Sequence, residues 1–421
     1  MKTLIVIALA MVAAGCGSLT ETSASQILAS NLASPASAQL LANSVVADFE
    51  CAYADYATAT GIVSDELANA QLEAIGWDYD RRTLTSTNSN IDNACAPVSN
   101  NPGSQQIPGV WLPLSTARYD GDHLLGLLNG WTVTQVPTRV KLIGQTAAYT
   151  GYALTLMGET MCAGAIDGGP QITPDSLLGL ADAHFTLAIT NATAANDPTT
   201  LQMALLGRAR ERLDRGQAAN AKVDAQSVDP GFVKNATYDA TGLRRENRLY
   251  TVMNRDYFYS VQQPFWHVTF AGVPDTIRVK VDSLVKGDGT PLIGQDNSTQ
   301  IRTALKFPTV STPIAIARGT EALLIIAEAD NDAGATAGAV SIINTLHTSA
   351  GLPPYASVNK DSVQAQIVFE RASEFFLEGH RLADIIRYKL PLNPPAGTPF
   401  YLGGTYGSQL CFPLPITENG K

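Results

Sequence analysis

Near the C-terminus three carboxylates recur at spacing four, Glu370, Glu374 and Glu378, with Arg371, Arg381 and Arg387 close by in sequence. Paired carboxylates can hydrolyse a glycosidic bond, but they must then flank a cleft, and one must be held protonated. Carboxylates along one helix face with arginines beside them stay ionised and form ion pairs that fix helix packing. The spacing fits the second role, so the cluster is expected to be structural. The histidines, His123, His184, His267, His347 and His380, show no metal spacing, no HExxH and no Cys–His grouping. A G-x-S-x-G elbow, a Walker A loop and a dinucleotide fingerprint are also missing from the chain. No catalytic residue, metal or cofactor is therefore assigned. Asp296, between Gln295 and Asn297, is a lone acid, and one carboxylate is a weak cation ligand.

Aromatic side chains are the better candidates for touching a ligand. Sugar rings present apolar C–H faces that stack on Trp and Tyr, while polar groups at the rim fix orientation. Trp131, Tyr257, Tyr259, Trp266, Tyr401 and Tyr406 fall in or beside expected loops and are the ligand-binding candidates. Trp77 and Trp111 read as packing residues.

Such residues need a scaffold. The 421 residues are 45% apolar, enough for a sizeable core, and the formal charge of −10 argues against a nucleic-acid groove. No apolar run reaches the length of a membrane-spanning helix. The start is short and basic, Leu4 to Val12 is an unbroken apolar run, and Ala13-Ala14-Gly15-Cys16 follows. That order resembles the signal sequence and lipobox of bacterial lipoproteins. It predicts a signal peptide over residues 1–15, lipidation of Cys16, and a tether over 16–40 that leads into one domain over 41–421. Cys51, Cys95, Cys162 and Cys411 remain, an even number that suits an oxidising compartment. Three pairings are possible. We favour Cys51–Cys95, which closes a local loop, with Cys162–Cys411, which ties the chain end to the helical body; four free thiols are the alternative.

Helical periodicity is read over 41–75, from Leu114 to Leu128 and from Thr138 to Met161, with a loop over 84–110. A spacing also repeats. Ala209 precedes Gly216 by seven residues and Ala221 follows it by five, and Ala327, Gly334 and Ala339 repeat that pattern. Gly151 and Gly158 give its first half, with a second helix expected from Pro174 to Ile189. Small residues let antiparallel helices approach, and a Gly ends the first of each pair, as in tetratricopeptide units. The largest insertion runs over about 229–313; it contains an alternating stretch, Thr276 to Asp282, expected to be a strand, and a turn at Lys286 to Gly289. The fold class is thus mostly α, a tetratricopeptide-like helix-pair core with long loop insertions and a minor β element.

From Arg318 onward the chain resembles the SusD/RagB family. The residues that carry the resemblance are Arg318 and Glu321, Ala327-Glu328-Ala329, Asn344, Gly351 to Pro353, then Glu370, Arg371, Glu374, Glu378, Gly379, Arg381, Asp384 and Arg387, and the close from Pro413 to Glu418. His347 stands where the family usually carries Arg, and the chain is shorter than most members. The resemblance implies a non-catalytic, lipid-anchored protein of the outer membrane, facing the cell surface. It would act as a lid on a SusC-type TonB-dependent transporter and capture a glycan for uptake. A peptide-binding member with the same partner, or a protein-interaction scaffold, is the alternative.

Overall fold

Helix α1 (Ala38–Val63) is buried on every side from Phe49 to Val63, and it is the centre of the molecule. Val45, Phe49, Tyr53 and Tyr56 are buried along it, and the rings of Phe49 and Tyr53 stack at 5.9 Å. The computed structural model describes residues 32–72, 74–95 and 107–418; the expected signal peptide, Cys16 and the first part of the expected tether lie outside these residues. Among the described residues no helix is long and apolar enough to cross a membrane. The helix predicted over 41–75 is interrupted. It stops at Val63, the chain extends as β1 (Leu67–Asn69), and a short helix α2 (Trp77–Arg81) follows.

Helices α3 (Trp111–Gly130) and α4 (Arg139–Thr160) pack on α1 and on each other. Then come α5 (Pro174–Ala194), α6 (Pro198–Asp214), α7 (Ala218–Ala225), α8 (Gly319–Asp332), α9 (Thr336–Ala350), α10 (Lys360–Glu374) and α11 (Arg381–Tyr388). The repeated Gly–Ala spacing is the joint of two helix pairs. Gly216 and Gly334 have φ of +72° and +80°, the left-handed conformation that closes α6 and α8. Ala209, Ala221, Ala327 and Ala339 are fully buried in the α6–α7 and α8–α9 pairs. Gly158 differs from the expectation. It lies within α4, where a side chain would meet Leu178 at 2.7 Å, so it permits close packing and ends nothing.

The insertion leaves and re-enters the helical core through one ladder, β2 (Val233–Ala236) against β6 (Ile314–Arg318), with Ala236 opposite Ile314. Inside it β3 (Tyr259–Val261) pairs antiparallel with β1, and β4 (Val281–Ser283) pairs with β5 (Arg302–Ala304). The alternation over Thr276 to Asp282 thus yields a strand only at its end. Asp275 accepts hydrogen bonds from the backbone N–H and the guanidinium of Arg278, which holds a turn where the strand was expected. The Lys286–Gly289 turn is present, with Gly289 N–H donating to Lys286 O at 2.9 Å.

Disulfides join Cys51 to Cys95 and Cys162 to Cys411, with Cα separations of 5.9 and 5.0 Å.

Candidate functional site

The acidic–basic constellation is a set of ion pairs inside the fold. Glu370 accepts from Arg278 at 2.6 Å, from Gln366 at 2.6 Å and from His347 at 2.7 Å. Glu374 pairs with Arg318 at 3.1 Å, and Glu378 with Arg318 at 3.0 Å and with Lys306. Arg371 holds Asp384 at 2.9 Å, and Arg381 grips both oxygens of Asp65 at 2.7 and 2.8 Å. Arg387 reaches Glu328, and Glu321 is buried 3.9 Å from Arg210. One expectation fails in detail: Glu378 does not share the helix of Glu370 and Glu374. Helix α10 ends at Glu374, and Leu377 and Gly379 turn left-handed, at φ +56° and +80°. A side chain at Gly379 would also press on the Tyr56 ring at 2.8 Å.

Burial pushes several carboxyl groups up, Glu66 to about 8, Glu321 to about 7 and Asp80 to about 7. Glu321 lines a cavity of about 10 Å³, room for one water and no sugar. Among the described residues no group of His, Cys, Asp and Glu is placed to hold a metal ion. Asp296 is committed to its own loop. It accepts from the backbone and hydroxyl groups of Ser298 and Thr299 and from Tyr401 Oη at 2.7 Å. Burial opposes its charge, but these hydrogen bonds prevail and hold the carboxyl below its usual range.

The aromatic candidates divide. Tyr401 and Tyr406 are brought together on the loop that returns after α11, with the Phe400 ring 4.8 and 5.4 Å from theirs. Trp77, expected to be a packing residue, is half-buried at the edge of this group and packs 5.9 Å from Phe400. The Arg81 guanidinium lies 5.8 Å from the Trp77 ring and 5.7 Å from Phe400. Three elements converge to build this platform. Gly407 N–H donates to Arg81 O at 2.6 Å, which docks the returning loop on α2, and Tyr401 Oη donates to Asp296 in the insertion. Asn69 on β1 donates to Tyr401 Oη at 3.2 Å. Tyr401 is 48% exposed while its hydroxyl is pinned, so its side chain is presented to solvent in a fixed position.

Tyr259 is fully buried and cannot stack on a ligand. It lies opposite Asn69 in the β1–β3 ladder and supports the platform from behind. Trp266 is half-buried on the same small sheet, its indole N–H donating to Val261 O at 2.7 Å. Arg302 covers one face of the Trp266 ring at 3.7 Å, and the indole also packs against the core. Tyr257 is half-buried with φ +55°. Trp131 packs on the helical core at the turn between α3 and α4, apart from the platform. Trp111 is buried, as its packing role requires. The signal that could have found Trp77 is its neighbourhood: Trp77 and Arg81 are one helical turn apart, and Phe400 and Tyr401 adjoin.

Residues 306–406 match the sequence model of the SusD family. No curated protein matches the sequence. Among solved structures, a SusD superfamily protein from Bacteroides vulgatus ATCC 8482 superposes with a TM-score of 0.67 at 16% identity, covering 91% of this chain and 96% of that one. A SusD-like carbohydrate binding protein from the same organism gives 0.63 at 15% identity, covering 85% and 84% of the two chains. A laminarin binding SusD-like protein gives 0.62 at 15% identity, covering 90% and 96%.

Proposed function

We propose that the chain is a member of the SusD/RagB family, whose sequence model residues 306–406 match, and that it captures a glycan at the Trp77–Tyr401 platform and passes it to a SusC-type TonB-dependent transporter. The observation that carries this reading is an exposed aromatic side chain whose hydroxyl and guanidinium neighbours are already fixed. Ring stacking on such a side chain binds sugars with little ordering cost, and Arg81 at its edge supplies a donor. The carbohydrate binding named for two of the similar structures agrees with it. The reading includes lipidation at Cys16 after removal of residues 1–15, and an outer-membrane position facing the cell surface. It includes no catalysis, because the paired carboxylates are engaged with arginines in the fold.

Two experiments test it. The protein is titrated by calorimetry with laminarin and a panel of neutral oligosaccharides. Trp77→Ala and Tyr401→Ala are each expected to weaken binding about tenfold, the scale of one lost stacking contact, while the fold is retained by circular dichroism. Unchanged affinity in both folded variants removes the platform from the site. Recovery of a large β-barrel partner with the tagged protein from solubilised outer membranes supports the transporter role, and recovery of the protein alone argues against it.

A further inference from the structure

Helix α3 carries a second exposed aromatic, far along the sequence from the platform. Tyr119 is 52% exposed, and its ring lies parallel to that of His123, 6.1 Å away and 9° from coplanar. It borders a groove of about 450 Å³ between α3 and the loop after α4, within the range of small-molecule sites. Ser115, Arg118, Asp167 and Glu418 also line the groove, and Trp111 forms part of its wall.

The polar groups here are fixed. Arg118 is 3% exposed, and its guanidinium is held by Asp167 at 2.9 Å and Asp122 at 3.2 Å. Its Nε is buried without a partner, so Arg118 acts by fixing the two carboxylates in place. Asp167 meets Arg118 from a left-handed backbone, φ +53°, a conformation that costs energy outside glycine. The cation is matched by two carboxylates, and Glu418 adds a third acid to the wall. An anion gains nothing from such a groove. A neutral ligand with many hydroxyls finds fixed acceptors and an exposed ring together.

We propose that this groove is a second carbohydrate subsite, taking one or two neutral hexose units by stacking on Tyr119 and hydrogen bonding to Asp167, which Arg118 holds in place. The inference rests on the carbohydrate reading above. The chain from Tyr406 to Glu418 connects the two places, so they are at most about 40 Å apart along an extended backbone. A long glycan engaged at both gains avidity over a short one.

Two tryptophans report the two places separately, Trp77 at the platform and Trp111 in the groove wall. The full-length protein, labelled with nitrogen-15, is titrated with laminaritriose and other neutral hexose oligosaccharides while the indole N–H signals are followed. The Trp111 signal is expected to shift and saturate, with at least fivefold weaker binding in Tyr119→Ala and no change in the Trp77 midpoint. Asp167→Asn is expected to weaken the same shift. Movement of Trp77 alone overturns the second subsite and leaves the platform standing. Movement of Trp111 alone supports the groove and overturns the platform. Signals that stay still with every oligosaccharide overturn both.

Discussion

At His347 both ring nitrogens face acceptors, Nε2 the Glu370 carboxylate at 2.7 Å and Nδ1 the Pro353 carbonyl at 2.6 Å. Only the doubly protonated ring donates to both, so this histidine serves as a cation beside Glu370. Burial pulls its pKa down, but the hydrogen bond and charge of Glu370 prevail and raise it, while the same contact helps hold Glu370 low. A raised histidine stabilises fully below its unfolded pKa near 6.5 and loses that contribution as pH rises through its folded value. His347→Gln is therefore expected to cost about 1–3 kcal/mol at pH 6, with the gap to wild type narrowing above pH 7 in denaturant titrations. A gap independent of pH would mean the ring is neutral. Tyr401→Phe tests the platform's pin: with the hydroxyl to Asp296 and Asn69 removed, glycan affinity should fall by a few fold through added mobility, less than in Tyr401→Ala. Equal losses would give the hydroxyl, and not the ring, the leading role. The ion-pair character of Glu370 and its neighbours was legible from spacing alone. Trp77 was not, because spacing reports which face of a helix is apolar and not whether a neighbouring loop leaves that face open.

Helix packing in this chain depends on rings set against bare backbone. The Phe185 ring of α5 is fully buried between Gly151 of α4 and Gly207 of α6, where an added side-chain carbon would come within 2.8 and 2.4 Å of the ring. Tyr152 meets the same ring edge-on at 5.2 Å. Gly207→Ala is expected to destabilise by about 1–3 kcal/mol through overpacking, despite Ala's better helix propensity. An unchanged melting temperature would show that α5 and α6 can slide apart. The helix pairs were readable because Gly216 and Gly334 stop helices in a way only their backbone conformation requires. The strand at Thr276 to Asp282 and the single helix through Glu378 were misread for a related reason. In each case the side-chain period continued while the backbone turned, at Asp275 through its hydrogen bonds to Arg278 and at Leu377 and Gly379 through positive φ.

Over the whole molecule, two long-range constraints set stability. The Cys162–Cys411 bond closes a loop of 249 residues. In the chain-entropy picture such a loop is worth about 5–6 kcal/mol, so Cys162→Ser with Cys411→Ser should lower the melting temperature well below that of the oxidised wild type. Proton linkage is the second. Glu66, raised to about 8, and Glu211, raised to about 9, both chiefly by burial, keep protons in the folded chain that they would release on unfolding. Stability on their account falls as pH rises from about 5 to 9. His380, buried and held well below its ordinary range, acts in the opposite sense and withdraws stability below its unfolded pKa. Thermal scans should thus peak in mildly acidic buffer and decline toward pH 9; a rise from pH 6 to 9 would mean Glu66 and Glu211 are ionised in the fold.

The ladder of β2 and β6 has a consequence for how such a protein diversifies. Because Ala236 and Ile314 are paired neighbours, everything between them leaves and returns at one point on the helical body. Residues 237–313 are nevertheless built into the helical body, because Arg278 and Lys306 neutralise Glu370 and Glu378 and β3 pairs with β1. A segment of different length that changes what the molecule selects must keep those anchors, so variation is confined to the stretches between them.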